Sequence, residues 1–106
     1  METFGLSERS YNELMAILGR VPHIDEAILY GSRARGDYWR ASDVDLSLKG
    51  EHLTLSDLVA LDDMLYESHI PYFFDLNIYN NITNPAFKDN VDCDGIVIYR
   101  KQESKT

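Results

Sequence analysis

Two amphipathic helical stripes, two strictly alternating segments and two short apolar runs predict an α/β (α+β) fold. The expected form is a mixed sheet of about four strands with helices packed on it. The order read along the chain is α-β-loop-β-α-β-α-β. At 106 residues the chain reads as one domain, 1–106, with a single modest core.

Residues 7–19 carry the first helix. Ser7 can accept a hydrogen bond from the first turn, and Glu8 suits the positive end of the helix dipole. Tyr11, Leu14, Met15 and Leu18 follow at i, i+3, i+4 and i+7, and Gly19 and Pro22 stop the helix. Ala27-Ile28-Leu29-Tyr30 is an apolar run of buried-strand length, broken at Gly31. Over 43–49, Val44, Leu46 and Leu48 point one way while Asp43, Asp45 and Ser47 point the other. Residues 56–68 read as a second helix, capped by Ser56, with Leu58, Leu61 and Leu65 inward. Over 72–79, Tyr72, Phe74, Leu76 and Ile78 share one face, and Phe73, Asp75, Asn77 and Tyr79 the other. Asn84-Pro85 is a cap and first turn for a short third helix. Gly95 opens a last strand over 96–99, and the tail, 101–106, is expected to fray.

Composition narrows the function. A net charge of −8 opposes binding to nucleic-acid backbones, so no DNA or RNA partner is expected. Cys93 is the one cysteine, which excludes an intrachain disulfide and a cysteine-based zinc site. The start lacks the basic and apolar regions of a secretory signal, and no apolar run approaches the ~18 residues of a membrane span. The expected setting is cytoplasmic, with no membrane association.

The chemistry concentrates in GSRARGDYWRASDVDL, residues 31–46. Gly31 follows a buried strand and lets the backbone approach a ligand closely, and Ser32 adds a hydroxyl; together they suit a phosphate. Arg33 and Arg35 add guanidinium charge beside it, and Ser42 joins the same nucleotide-binding set. Asp43 and Asp45 leave one face of a strand roughly 6.5–7 Å apart, a hard-oxygen pair suited to Mg²⁺. Asp75 is a charge in the apolar segment YFFDLNIY. If its strand lies near the first, three carboxylates converge, a set able to hold two metal ions. A chance match to Gly-Ser, ten residues, then Asp-x-Asp is on the order of 10⁻³ at average residue usage.

Gly31-Ser32, that gap, Asp43-Val44-Asp45 and the later Asp75 resemble the signature of the DNA-polymerase-β-type nucleotidyltransferase superfamily. Within it, ILYGSRARG and SDVDLSL are similar to the minimal nucleotidyltransferase (MNT) proteins, and the likeness runs through NPAFKDNVDCDGIVIY. The resemblance implies metal binding at Asp43, Asp45 and Asp75 and triphosphate binding at Ser32. It implies two Mg²⁺ ions, or Mn²⁺, and ATP as the donor of AMP to an acceptor hydroxyl. It also implies an antitoxin whose partner and acceptor is a HEPN-domain toxin, modified on a tyrosine.

Two other readings compete. A small-molecule, antibiotic-type nucleotidyltransferase needs an acceptor pocket that 106 residues leave little room for. A non-catalytic antitoxin acting by contact would not require the carboxylates. His23, His52 and His69 have no ligand spacing and are expected at the surface, and Asp62-Asp63 is expected on a solvated helix face. Tyr11 and Tyr66 fit core or edge positions. No core pattern claims Tyr38 or Trp39, which either touch a ligand or partner or pack over the loop.

Overall fold

The computed structural model describes residues 3–102. Helix α1 spans Glu8–Leu18, with the Ser7 side chain accepting from the Ser10 N–H. Strand β1 is Glu26–Tyr30, the short helix α2 is Ser32–Arg35, and β2 is Val44–Lys49. Helix α3 covers Leu55–Tyr66, β3 covers Phe74–Ile78, a 3₁₀ turn covers Tyr79–Asn81, α4 covers Pro85–Asp94 and β4 covers Ile96–Arg100.

The sheet is mixed, in the order β3-β2-β1-β4. β1 runs antiparallel to both β2 and β4, and β3 runs parallel to β2. Helices α1 and α3 cover one face, where Leu14, Leu18, Leu29, Leu46, Leu48 and Leu61 make the core. On the other face α4 brings Val91 against Ile28 and Tyr30. This second cluster is small, so that face keeps polar side chains in the rows beyond it. No helix among the described residues is long and apolar enough to cross a membrane.

Three expectations need correction. Helix α3 is capped by Thr54 rather than Ser56. Thr54 Oγ1 accepts from the Asp57 N–H at 3.2 Å, and the Asp57 carboxylate accepts from the Thr54 N–H at 3.0 Å. This reciprocal pair satisfies two orphan donors at once, which a lone Ser56 could not match. Tyr66 is 87% exposed, because it is turned about 100° away from the inward row Leu58, Leu61 and Leu65. The tail does not fray at its first residue: the Lys101 N–H donates to the Asp25 carbonyl, and Lys101 Nζ donates to the Pro22 carbonyl, both at 2.8 Å. Residues 103–106 of the expected frayed tail lie outside the described residues.

Candidate active site

β1 ends, and β2 and β3 begin, at the same end of the sheet. In register, Tyr30 sits beside Asp45, and Asp45 beside Asp75. Side chains of paired residues leave the same face, so these three form one row across three strands. Asp43, two residues before Asp45, leaves that face too and is exposed. Sequence alternation therefore assigned the carboxylates to the correct face, and the parallel pairing of β2 with β3 brings them together.

Gly31 closes the row from above. Its φ is +78°, a conformation L side chains rarely adopt, and a Cβ there would collide with the Asp45 carboxylate. The turn then enters α2, where the Arg35 N–H donates to the Gly31 carbonyl at 3.0 Å. Ser32 is half-exposed at the start of this turn.

Asp45 is the electrostatic centre. Burial first, then the Asp75 and Asp43 charges, raise its pKa from 3.8 to about 6, with Arg35 and Arg33 opposing the rise. Tyr30 is pushed up to about 12 by burial and by the Asp75 and Asp45 charges. Such an excess of negative charge is the environment a divalent cation neutralises, and carboxylate oxygens are its preferred donors. The donor chemistry fits Mg²⁺, although no three acidic, His or Cys side chains among the described residues are drawn close enough to enclose an ion.

The two arginines have separate fates. Arg35 is exposed and pairs with Asp37 at 3.2 Å and Asp94 at 3.1 Å, so it stands at the rim between α2 and α4. Arg33, expected beside the phosphate, is instead turned inward and 2% exposed. Its guanidinium donates to the Phe4 carbonyl at 2.8 Å and to the Ser42 carbonyl at 2.8 and 3.1 Å. The rings of Tyr38 and Tyr72 flank it at 5.0 and 4.5 Å. A planar fork between two aromatic faces is held by geometry that a solvent-facing phosphate ligand could not share. Ser42 is likewise engaged: its Oγ accepts from the Trp39 N–H at 3.0 Å. Tyr38 thus packs over the loop, while Trp39 remains 74% exposed.

A hydrogen-bond chain beneath the row was missed by sequence reasoning. Ser47 Oγ, fully buried, donates to Asn77 Oδ1 at 2.7 Å, and Asn77 Nδ2 donates to the Tyr30 hydroxyl at 2.8 Å. The signal was present as a second matched polar pair, Ser47 and Asn77, each two residues after its aspartate.

The sequence profile of the Polymerase beta, Nucleotidyltransferase family matches residues 12–104. The chain belongs to this family. Solved structures agree on the fold of this nucleotidyltransferase. A toxin–antitoxin crystal structure with AMP-PNP aligns with a TM-score of 0.69 at 20% identity, covering 86% of this chain and 73% of that one. A crystal structure of the toxin–antitoxin MntA-HpeT, carrying two Asp-to-Glu substitutions, aligns with a TM-score of 0.67 at 17% identity and the same coverage. No curated protein sequence matches the chain.

The raised pKa of Asp45 has a consequence for stability. The folded chain holds this proton more tightly than the unfolded chain does, so ionising Asp45 costs the fold stability. That cost is absent below the ordinary value of 3.8 and complete above about 6. In EDTA, the melting temperature is expected to carry a component that falls as pH rises through this window. Asp45→Asn should remove the component and raise the melting temperature at pH 7. Scanning fluorimetry across pH 4–7 reads both, and a variant no more stable than the parent at pH 7 would contradict the assignment.

Proposed function

We propose that this chain transfers AMP from ATP to a hydroxyl of a partner protein, a tyrosine of a HEPN-type toxin, and so acts as an antitoxin in the cytoplasm. The observation that carries the reading is the row Asp45–Asp75 with Asp43 beside it, facing solvent next to the Gly31-Ser32 turn. The family supports nucleotidyl transfer. The toxin–antitoxin neighbours, one of them holding an ATP analogue, support the donor and the partner class. In the other neighbour the two substituted aspartates are two residues apart, the spacing of Asp43 and Asp45.

Asp43, Asp45 and Asp75 would hold the divalent ions, which neutralise phosphate charge and acidify the acceptor hydroxyl when bound. The chain's own groups do the rest. The Gly31 backbone and Ser32 hydroxyl hold the β- and γ-phosphates. Asp75, exposed on the edge strand, takes the proton as the acceptor oxygen attacks the α-phosphorus. A new P–O bond forms to the acceptor, the bond to the β-phosphate breaks, and pyrophosphate leaves along the turn. A phenol has an unperturbed pKa near 10, below that of an aliphatic alcohol, which favours tyrosine as acceptor.

Purified protein, ATP, Mg²⁺ and the candidate partner should give a partner mass increase in whole AMP units. A partner neutralised without a mass change would favour contact alone, and a modified aminoglycoside would favour the small-molecule reading. The turn has its own test. Gly31→Val should lower turnover well beyond Ser32→Ala, because the side chain collides with Asp45 and the backbone conformation costs about 1–3 kcal/mol, whereas water can replace one hydroxyl. Wild-type turnover in both variants would remove the turn from the site.

A further inference from the structure

Helix α3 carries two seams, and only one is used. Leu58, Leu61 and Leu65 pack inward, whereas Leu55, Val59, Asp62 and Tyr66 stand outward at i, i+4, i+7 and i+11. That spacing is the a/d seam of a helix pair, continued for ~16 Å along the axis. Its apolar members are solvent-facing: Leu55 is 66% exposed, Val59 62% and Tyr66 87%. Two grooves run along it, both between α3 and the chain of β3. One, of about 610 Å³, is lined by Tyr66, Ile70, Pro71 and Phe73, and the other, of about 410 Å³, by Leu55, Leu58, Val59 and Leu76. Asp62 lines both.

We propose that this seam, with the adjoining edge of β3, docks a basic amphipathic helix of a partner protein, with a Lys or Arg set against Asp62. The proposal rests on the protein-acceptor reading above and names the surface that delivers the acceptor. Charge decides the occupant. From Gly50 to Phe87 the chain holds Glu51, Asp57, Asp62, Asp63, Glu67 and Asp75 and no Lys or Arg. A carboxylate inside a buried seam must be paired, and the surrounding sequence offers no cation to pair it. A second copy brings the same deficit, since it would set Asp62 against either Asp62 or Val59 of its partner. Nucleic acid and anionic membrane are repelled by the same charge. What remains is a protein helix that supplies both apolar knobs and the missing cation.

The seam also lies where delivery requires it. Its C-terminal end runs into the groove at Phe73, which is 80% exposed and immediately precedes β3, two residues before Asp75. The Val44 N–H donates to the Phe73 carbonyl at 2.9 Å, which fixes Phe73 beside the start of β2 and therefore near Asp43. The carboxylate row lies on the sheet face opposite α3, so a partner seated on α3 reaches it by passing Phe73 around the exposed edge of β3.

The test places photoreactive benzoyl-phenylalanine at Tyr66, or at exposed Asn90 on α4 as a control, in the full chain expressed in its own cells. The expected adduct joins Tyr66 to a partner peptide with a Lys or Arg within one helical turn of the attachment point. The Asn90 probe should give far less, and Asp62→Lys should reduce the Tyr66 adduct about tenfold or more. Purified Asp62→Lys should bind ATP as the parent does. An adduct with a second copy, with a segment lacking basic residues, or equal at Asn90 overturns the proposal. So does an adduct indifferent to Asp62→Lys, or none. The two readings fail separately. An Asp62-dependent partner that never gains AMP removes the transfer reading and keeps the docking surface; an AMP-modified partner indifferent to Asp62→Lys does the reverse.

Discussion

Asp75→Asn is expected to cut AMP transfer by about 10³-fold while leaving ATP binding within a few-fold of the parent. The substitution is isosteric, and the side chain is exposed on an edge strand, so the fold has little to lose. What disappears is a negative charge at the end of the row and, in the proposed reading, the base that accepts the acceptor's proton. The same charge helps to hold Asp45 at about 6, so Asp45 should ionise at lower pH in the variant, and Tyr30 should follow. Carboxylate titration by NMR would report that shift without any acceptor present. Asp43→Asn with Asp45→Asn should behave differently, because in the proposed reading this pair removes two of the three carboxylates that would hold the cations receiving the triphosphate. Metal-dependent nucleotide affinity should fall together with turnover. Calorimetry with ATP and Mg²⁺, beside incorporation of labelled AMP, separates the two patterns. If Asp75→Asn turns over within tenfold of the parent, Asp75 is not the base.

The row itself shows what was legible in the sequence. Period-two alternation set Asp43 and Asp45 on one face of β2 and Asp75 on the polar face of β3, because strand side chains can only alternate. The pairing was not legible. Neither strand alone says that β3 runs parallel to β2 with Asp75 level with Asp45; the parallel direction comes from the crossover through α3, whose Leu58, Leu61 and Leu65 pack on the sheet. The start of α3 shows the opposite case. Thr54-Leu55-Ser56-Asp57 contains the capping signal in full, and choosing Ser56 overlooked the reciprocal bond three residues on. Tyr66 and Arg33 were misplaced for a shared reason. Helical spacing alone does not say which of two seams faces inward, and a charge in a loop reads as solvated until its partners are seen.

Arg33→Met is expected to destabilise the protein by about 3 kcal/mol, the largest loss among the site substitutions, although Arg33 touches no carboxylate. For a domain of this size that is a fall in melting temperature of roughly 12–20 °C. Methionine keeps much of the buried volume and so limits the cavity contribution. What it cannot keep is the fork, and the Phe4 and Ser42 carbonyls lose their charged donor inside the protein. The Tyr38 and Tyr72 rings lose the cation between them. Arg33→Lys should recover less than half, because a single ammonium cannot reach both carbonyls and lie flat between two rings. The link to function runs through Ser42. Its carbonyl ties the loop to Arg33; Arg33 is one residue from Ser32, in the turn proposed to hold phosphate, and Ser42 is one residue from Asp43, so one side chain holds both halves of the candidate site in register. At a temperature where the Arg33→Lys variant is fully folded, KM for ATP should therefore rise more than kcat falls. If Arg33→Met melts within ~4 °C of the parent, the inward clamp does not exist in solution, and the guanidinium returns to the phosphate side where the sequence first suggested it.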